Sequence, residues 1–139
     1  MRRHAQLSFL TLVTLLVLAP LSNAQDTAAP HRLSLLYRVA TADSIAERLS
    51  SLTQDKKNRI SDEDTELRID VPGENAIYTF TKPGDAAHPS FVRRGVGQRD
   101  GKVYIDTTGV TAADRGAFEK WFAVFLRQDE EIRARLQIK

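Results

Sequence analysis

Cysteine is absent from the 139-residue chain. Its absence excludes disulfide bonds, a thiol nucleophile, a thiolate metal site and a redox-active cysteine pair. Histidine is scarce as well, since the whole chain has 3 and only His88 lies in the region that is expected to fold. Neither a metal site nor a cofactor site is therefore predicted, and the folded domain must be stabilised by packing alone.

The sequence also lacks an apolar run that is long enough to span a membrane. The longest apolar stretch, residues 7–18, covers about a dozen positions, whereas a spanning helix needs roughly 20. It follows Arg2 and Arg3 and precedes small residues that end at Ala24, which is the three-part pattern of a secretory signal peptide. We predict cleavage after Ala24 and a soluble periplasmic or secreted protein without stable membrane insertion. An uncleaved anchor is the alternative.

The predicted mature chain has no net charge. Loss of Arg2 and Arg3 reduces the 20 basic residues to 18, which equals the number of acidic residues. A nucleic-acid partner is therefore not expected, because such binding depends on neutralising phosphates. The charges are unevenly spread, with a local excess of +3 in residues 82–102 and of −5 in residues 62–74. These blocks either attract each other within the fold or dock a charged partner.

The remaining sequence is predicted to form one small domain. Residues 25–32 have no apolar periodicity and are expected to be a flexible lead-in, which leaves 33–139 as a single domain. Segment 33–40 alternates as a strand does, although one extra leucine permits a helical start. From Thr41 the apolar residues recur at helical spacing, which predicts a helix of about three turns. The charged segment 54–66 is expected to be a solvated connection.

Two predicted hairpins follow this connection. Residues 66–71 alternate between apolar and polar side chains, a Pro-Gly turn follows, and residues 76–82 are expected to form the second strand. The Asp100–Gly101 pair separates two further strand-like runs, and Asp-Gly between such runs is typical of a two-residue hairpin turn. In that register Val96 stands opposite Ile105.

A long C-terminal helix is predicted for about 112–136, opened by a capping-box pattern at Thr111 and Asp114. Seven apolar residues fall on one stripe of it: Phe118, Trp121, Phe122, Phe125, Leu126, Ile132 and Leu136. The four aromatic residues of this stripe are interpreted as core, and a ligand-stacking groove is the alternative. The other face is predicted to be exposed and to carry three ion pairs at i,i+4 spacing: Arg115 with Glu119, Asp129 with Arg133, and Glu131 with Arg135.

These elements together predict the α+β class. The expected architecture is an antiparallel four-stranded meander of two hairpins, packed against an N-terminal helix and a longer C-terminal helix. Both helices are expected on one face of the sheet, and the sequence has no internal repeat.

The stretch FTKPGDAAHPSFVRR, residues 80–94, joins the two predicted hairpins. Its two prolines fix their own backbone angles and push Lys82 and His88 towards extended geometry, so the loop is expected to be stiff. Stiffness suits a binding element because less entropy is lost on binding. A plain change of chain direction requires the same residue types. The sequence therefore leaves open whether the loop is a binding site or a turn.

The segment YTFTKPGDAAHPSFVRR, residues 78–94, resembles a group of small exported proteobacterial proteins. In that group an aromatic strand ends in Phe-Thr-Lys-Pro-Gly and leads through an Ala-His-Pro-like loop into a strand with basic residues. Asp85 and Ala86 depart from the pattern of the group. The resemblance implies an exported, single-domain α+β protein with a characteristic loop. The group has no settled activity, so the resemblance implies no catalytic residue.

Three classes of function are consistent with these observations. The first is a non-enzymatic envelope protein that binds a macromolecular partner, of inhibitor, immunity or accessory type, through loop 82–94. Its proposed binding residues are Lys82, His88, Arg93 and Arg94. The second is a binder of a small anionic ligand or cell-wall fragment, held beside the same loop by the three cations of that set. The third is a hydrolase that uses Asp85 and His88, but no serine lies in a Gly-x-Ser-x-Gly context and no catalytic signature is present.

Overall fold

The computed structural model describes residues 33–136. In chain order the elements are β1 (Tyr37–Val39), α1 (Ala42–Gln54), β2 (Arg59–Asp62), β3 (Glu66–Val71), β4 (Ala76–Thr81), β5 (Ser90–Arg99), β6 (Lys102–Thr111) and α2 (Arg115–Leu136). A short 3-10 turn, Pro72–Glu74, joins β3 to β4. The predicted signal peptide and lead-in lie outside the described residues. Neither α1 nor α2 combines the length and the apolar character that crossing a membrane requires.

The strands form one six-stranded mixed sheet in the order β1-β6-β5-β4-β3-β2. β1 runs parallel to β6, and every other neighbouring pair is antiparallel. The predicted α+β class is confirmed, but the predicted four-stranded meander is wrong because it omits the two outer strands. All four residues of β2 are exposed, so no apolar alternation marks this edge strand. β1 has only three residues and pairs with a strand that is distant in sequence.

The two helices pack on opposite faces of the sheet, so the prediction that they share one face is wrong. Phe91 belongs to the core cluster beneath α1, whereas its neighbour Val92 belongs to the cluster beneath α2. Consecutive residues of a strand point to opposite faces, so both faces of β5 are covered. The apolar–polar alternation of β3 predicts a sheet with one buried face. The central strand β5 lacks this alternation, because side chains on both of its faces are covered.

Helix α1 has a capped first turn and a single buried stripe. The Thr41 hydroxyl oxygen accepts a hydrogen bond from the Ser44 backbone N–H over 3.2 Å. Ile45 and Leu52 are buried against an aromatic cluster on the sheet. The cluster consists of Tyr78, Phe80 and Phe91, whose ring centroids lie 5.0 to 6.4 Å apart. The helix therefore forms as predicted, and its stripe defines the core on this face.

Helix α2 carries the aromatic stripe, which is core as predicted. Phe118 and Phe122 are fully buried, and their ring centroids lie 5.3 Å apart. The helix is capped by Asp114, whose Oδ1 accepts a hydrogen bond from the Ala117 N–H over 2.9 Å. The predicted capping box at Thr111 is wrong, because Thr111 pairs with both β1 and β5 and so belongs to the sheet.

The second hairpin has the predicted register. Val96 pairs with Ile105, and Asp100 and Gly101 turn the chain with φ angles of 52° and 72°. These positive angles are those of the two-residue turn in which Asp-Gly is favoured. Pairing of β4 with β5 ends at Gly95, so the tip of the hairpin extends beyond the rest of the antiparallel sheet.

Candidate functional site

Arg93 and Arg94, which were predicted to share one binding surface, lie on opposite faces of the sheet. They are neighbours on β5, where side chains alternate between faces. Arg93 pairs with Tyr78 of β4 and lies on the α1 face. Arg94 reaches α2, where its guanidinium donates a hydrogen bond to the Phe125 carbonyl oxygen over 3.2 Å. The two cations therefore cannot clamp one ligand together.

Lys82 and His88 both hold loop 82–89 against the neighbouring strands. The Lys82 ammonium contacts the Asp62 carboxylate and the Glu63 carbonyl oxygen at the β2–β3 turn. The His88 ring nitrogen Nδ1 lies 3.1 Å from the Thr81 carbonyl oxygen. The four residues predicted as one site are therefore distributed over separate places, and each of them has a partner within the fold.

The Asp85–His88 pair that a hydrolase would need is not formed. The Asp85 carboxylate instead accepts a hydrogen bond from the Ala87 N–H over 2.7 Å. An aspartate carboxylate often accepts a hydrogen bond from the backbone N–H two residues later, and this contact is common in loops. In this structure Asp85 shapes the turn and does not orient the His88 imidazole.

Three buried hydroxyl groups fasten the base of the loop. Ser90 Oγ donates to the Ala87 carbonyl oxygen over 2.5 Å and lies 2.7 Å from Thr111 Oγ1. The Ser90 N–H donates to Thr81 Oγ1 over 2.9 Å. Buried polar groups are tolerated in a fold when they are hydrogen-bonded, and each of these three hydroxyl groups has a hydrogen-bond partner. Buried hydrogen bonds therefore hold the base of the loop in place, while its tip, residues 83–86, is exposed.

Arg94 is bound to a buried carboxylate on α2. Its Nε lies 2.8 Å from Oδ1 of Asp129, which is 0% exposed, and the Thr107 hydroxyl donates to the other Asp129 oxygen over 2.5 Å. The prediction that Asp129 is exposed and pairs with Arg133 is wrong. Asp129 continues the stripe of Phe118, Phe122 and Phe125 that faces the sheet, and Arg133 donates to the Ile105 carbonyl oxygen instead.

The basic and acidic blocks of the sequence meet within the fold at two places. Lys82 contacts Asp62, and Arg93 Nε lies 3.2 Å from Glu74 Oε2. Each pair joins a residue of block 82–102 to a residue of block 62–74. These contacts support the intramolecular interpretation of the charge pattern for the residues concerned.

An open cleft of about 530 Å³ lies on the α1 face, beside the N-terminal half of α1. Three arginines from three different elements line it: Arg38 from β1, Arg48 from α1 and Arg93 from β5. Phe91 and Val110 contribute apolar surface to the same cleft. We refer to it as the arginine cleft. Its volume falls within the range of roughly 300–1,000 Å³ that is typical of small-molecule sites.

Glu74 and Tyr78 hold two of these arginines in place. Arg48 donates to the Tyr78 hydroxyl over 2.5 Å and to Glu74 Oε1 over 3.1 Å. The Tyr78 hydroxyl donates to Glu74 Oε2 over 2.7 Å. Arg93 contacts Glu74 as described and Asp106 Oδ2 at 3.3 Å. The guanidinium groups of Arg48 and Arg93 are therefore positioned before any ligand arrives.

The surroundings of Glu74 and Tyr78 shift their pKa values in opposite directions. Partial burial by itself would raise the pKa of the Glu74 carboxyl, but hydrogen bonds from Tyr78 and Arg93 and the charge of Arg48 outweigh burial and lower it. Burial and the hydrogen bond to Glu74 raise the pKa of the Tyr78 hydroxyl, against the opposing effect of Arg48. At neutral pH Glu74 is therefore an anion, and Tyr78 is a neutral donor to it.

Arg38 and Glu47 differ from the other charged residues that line the cleft. Within residues 33–136 neither side chain has a hydrogen bond or an ion pair. Arg38 is exposed on the short edge strand β1, and Glu47 is exposed on α1. The cleft thus contains one cation and one anion that are free to meet a ligand.

Arg38, Arg48 and Tyr78 were not predicted as site residues. Their positions are far apart in sequence, and the parallel pairing of β1 with β6 is what brings Arg38 beside the other two. One signal was present, because Arg48 lies three residues after Ile45 and so borders the buried stripe of α1. That spacing places Arg48 at the edge of the core and does not identify its partners.

No set of three or more histidine, aspartate and glutamate side chains in residues 33–136 is arranged to hold a metal ion. No protein-family model matches the chain, and neither a curated protein nor a solved structure matches it significantly. Inferences about function therefore depend on the geometry of the described residues.

Proposed function

We propose that this chain is an exported binding protein that holds a small anionic ligand in the arginine cleft. The observation that supports the proposal is the convergence of three guanidinium groups on one cleft of about 530 Å³, of which Arg38 has no partner in the described part of the chain. A guanidinium group offers a planar set of donors that fits a carboxylate or a phosphate. Arg38 is therefore the proposed primary contact for the anion.

Preorganisation also supports binding in this cleft. Arg48 and Arg93 are fixed by Glu74 and Tyr78, so little side-chain freedom is lost when a ligand arrives. Their remaining N–H groups can donate to a ligand without breaking the internal contacts, because each guanidinium has five donors. The apolar surface of Phe91 and Val110 gives a short carbon skeleton a place to pack.

This proposal keeps the anionic ligand that the sequence suggested and changes the residues that hold it. Arg93 stays in the set, whereas Lys82 and Arg94 are engaged elsewhere in the fold. Binding of a macromolecular partner through loop 82–94 stays a prediction, and the exposed tip at residues 83–86 is compatible with it. The periplasmic or secreted location likewise stays a prediction from the N-terminal sequence.

Thermal unfolding of the purified protein with inorganic phosphate, succinate and citrate tests the proposal. A ligand that binds only the folded state raises the Tm with its concentration. At least one of these anions is expected to raise the Tm of the wild type more than sodium chloride does at equal ionic strength. Arg38→Glu is expected to abolish this specific shift.

Lys120→Glu is the matched control for Arg38→Glu. It makes the same change in charge at an exposed residue of α2, on the opposite face of the sheet. The control is expected to keep the wild-type shift. Equal shifts in wild type and Arg38→Glu would mean that the anions act as general stabilisers, and the proposed site would be wrong. No specific shift with any anion, whether or not it also carries an amine, would favour the partner at loop 82–94, to be sought by crosslinking in cells.

A further inference from the structure

The pairing of charges in the arginine cleft restricts the kind of anion that fits it. Arg48 and Arg93 are compensated by Glu74 and Asp106, at distances of 3.1 to 3.3 Å. This leaves Arg38 and Glu47 as the lining charges without a partner in residues 33–136. The unmatched charges of the cleft are therefore one positive and one negative, not an excess of one sign.

A ligand that is only an anion would satisfy one of these two charges. It would bring a second negative charge into the cleft beside Glu47, which is unfavourable at short range. A ligand that also carries a protonated amine would pair with both groups. Complementary charges of this kind contribute mainly to specificity, because they select among ligands of similar size.

The two unmatched charges also come from different walls of the cleft. Arg38 projects from β1, at the edge of the sheet, and Glu47 projects from α1, which covers the sheet. A ligand bound between them would span the opening, with its carbon skeleton over Phe91 and Val110. Because the two walls carry charges of opposite sign, such a ligand would bind in one orientation.

We infer that the ligand of the arginine cleft is a small zwitterion that carries a carboxylate or phosphate for Arg38 and a protonated amine for Glu47. The inference rests on the proposed function, since it describes the ligand of the same site. Amino acids, short peptides and amino-alkyl phosphates all have this chemistry. The cleft is large enough for a molecule of one or two amino-acid residues, given sites of roughly 300–1,000 Å³ for small molecules.

Isothermal titration of the purified protein with two matched pairs of compounds tests the inference. Glutamate and glutarate differ by one amine, and phosphoethanolamine and ethyl phosphate differ in the same way. In at least one pair the amine-bearing compound is expected to bind more tightly by up to about fivefold, because exposed ion pairs contribute about 1.4- to fivefold to an equilibrium constant. Glu47→Gln is expected to abolish this preference. The control Glu131→Gln, at an exposed position on α2, is expected to leave it unchanged.

The outcomes separate the inference from the proposed function. Equal or tighter binding of glutarate and ethyl phosphate would contradict the inference that the ligand is a zwitterion, but it would still support an anion site in the cleft. The same holds if only amine-free anions such as citrate bind, with loss of binding in Arg38→Glu. A preference for the amine that survives in Glu47→Gln would overturn the assignment of Glu47. No binding by any compound, including the anions of the thermal assay, would contradict the proposed function itself.

Discussion

Arg93 and Arg94 are neighbours on β5, yet the carboxylates that pair with their guanidinium groups lie in contrasting environments. On the α1 face, Arg93 contacts Glu74 and Asp106 at 3.2 and 3.3 Å in a cleft that is open to solvent. On the α2 face, Arg94 lies 2.8 Å from Asp129, whose side chain the fold covers completely. Adjacent residues of one strand are thus similarly exposed, at 28% and 23% of the side chain, but one pairs with solvent-accessible carboxylates and the other with a buried carboxylate.

This contrast indicates different roles for the two faces. Exposed ion pairs contribute little to stability because water screens them, so Arg93 can engage a ligand without weakening the fold much. Removing one member of a buried pair leaves a charge without compensation, so Arg94 is committed to holding α2 on the sheet. The ion pair of Arg94 therefore helps to hold α2 on the sheet, and the cleft on the α1 face is where a ligand is proposed to bind.

The largest expected effect is the loss of stability in Asp129→Ala. The substitution leaves Arg94 without its carboxylate and the Thr107 hydroxyl without its acceptor. We expect the free energy of unfolding in urea to fall by about 3 kcal/mol, the lower end of the range for breaking a buried pair, because Arg94 is itself partly exposed. Glu74→Ala, in the solvent-accessible network of the α1 face, is expected to cost about 1 kcal/mol or less. Equal losses in the two variants would remove the contrast between the faces.

A smaller effect is expected from Gly109→Ala, beneath α2. A Cβ atom at Gly109 would lie 2.6 Å from Cζ of Phe118, whose ring is fully buried and cannot move aside. We expect a loss of about 1–3 kcal/mol in the free energy of unfolding, as is usual for overpacking.

Gly97→Ala is the comparison at the exposed tip of the β5–β6 hairpin. A Cβ atom there would come even closer to the Tyr104 ring. Tyr104 is 40% exposed, so its ring can swing into solvent, and a loss below about 0.5 kcal/mol is expected. A larger loss in Gly97→Ala than in Gly109→Ala, measured by urea unfolding, would show that the hairpin tip is as rigid as the core.

The sequence predicted those parts of the fold whose signal is local. The stripe of Ile45 and Leu52 and the Asp-Gly turn each depend on residues within a dozen positions, and both were confirmed. The edge strands escaped prediction because β2 is wholly exposed and β1 is only three residues long. Without β1, a four-stranded meander with both helices on one face was the simpler arrangement.

The site was harder to predict because its residues converge from distant segments. Arg93 was identified from its basic surroundings, but its actual neighbours, Arg38 and Arg48, come from β1 and α1. The charge of Asp129 suggested exposure, whereas its place on the α2 stripe buries it. Charge pattern alone therefore cannot distinguish an exposed ion pair from a buried one, since that depends on which face of each element is covered.

A similarly small effect is expected in the pH dependence of stability when Glu74 is replaced by glutamine. The lowered pKa of the Glu74 carboxyl means that its contribution is present above the unfolded-state pKa and is lost as the pH falls through the folded-state value. Glu74→Gln should therefore cost less than about 1 kcal/mol near neutral pH, and nothing at a pH where the carboxyl is protonated in both states. Urea unfolding of both proteins from about pH 7 to about pH 2 measures this difference. A difference that stays constant over the range would mean that Glu74 acts through packing, and the network that positions Arg48 and Arg93 would then not depend on its charge.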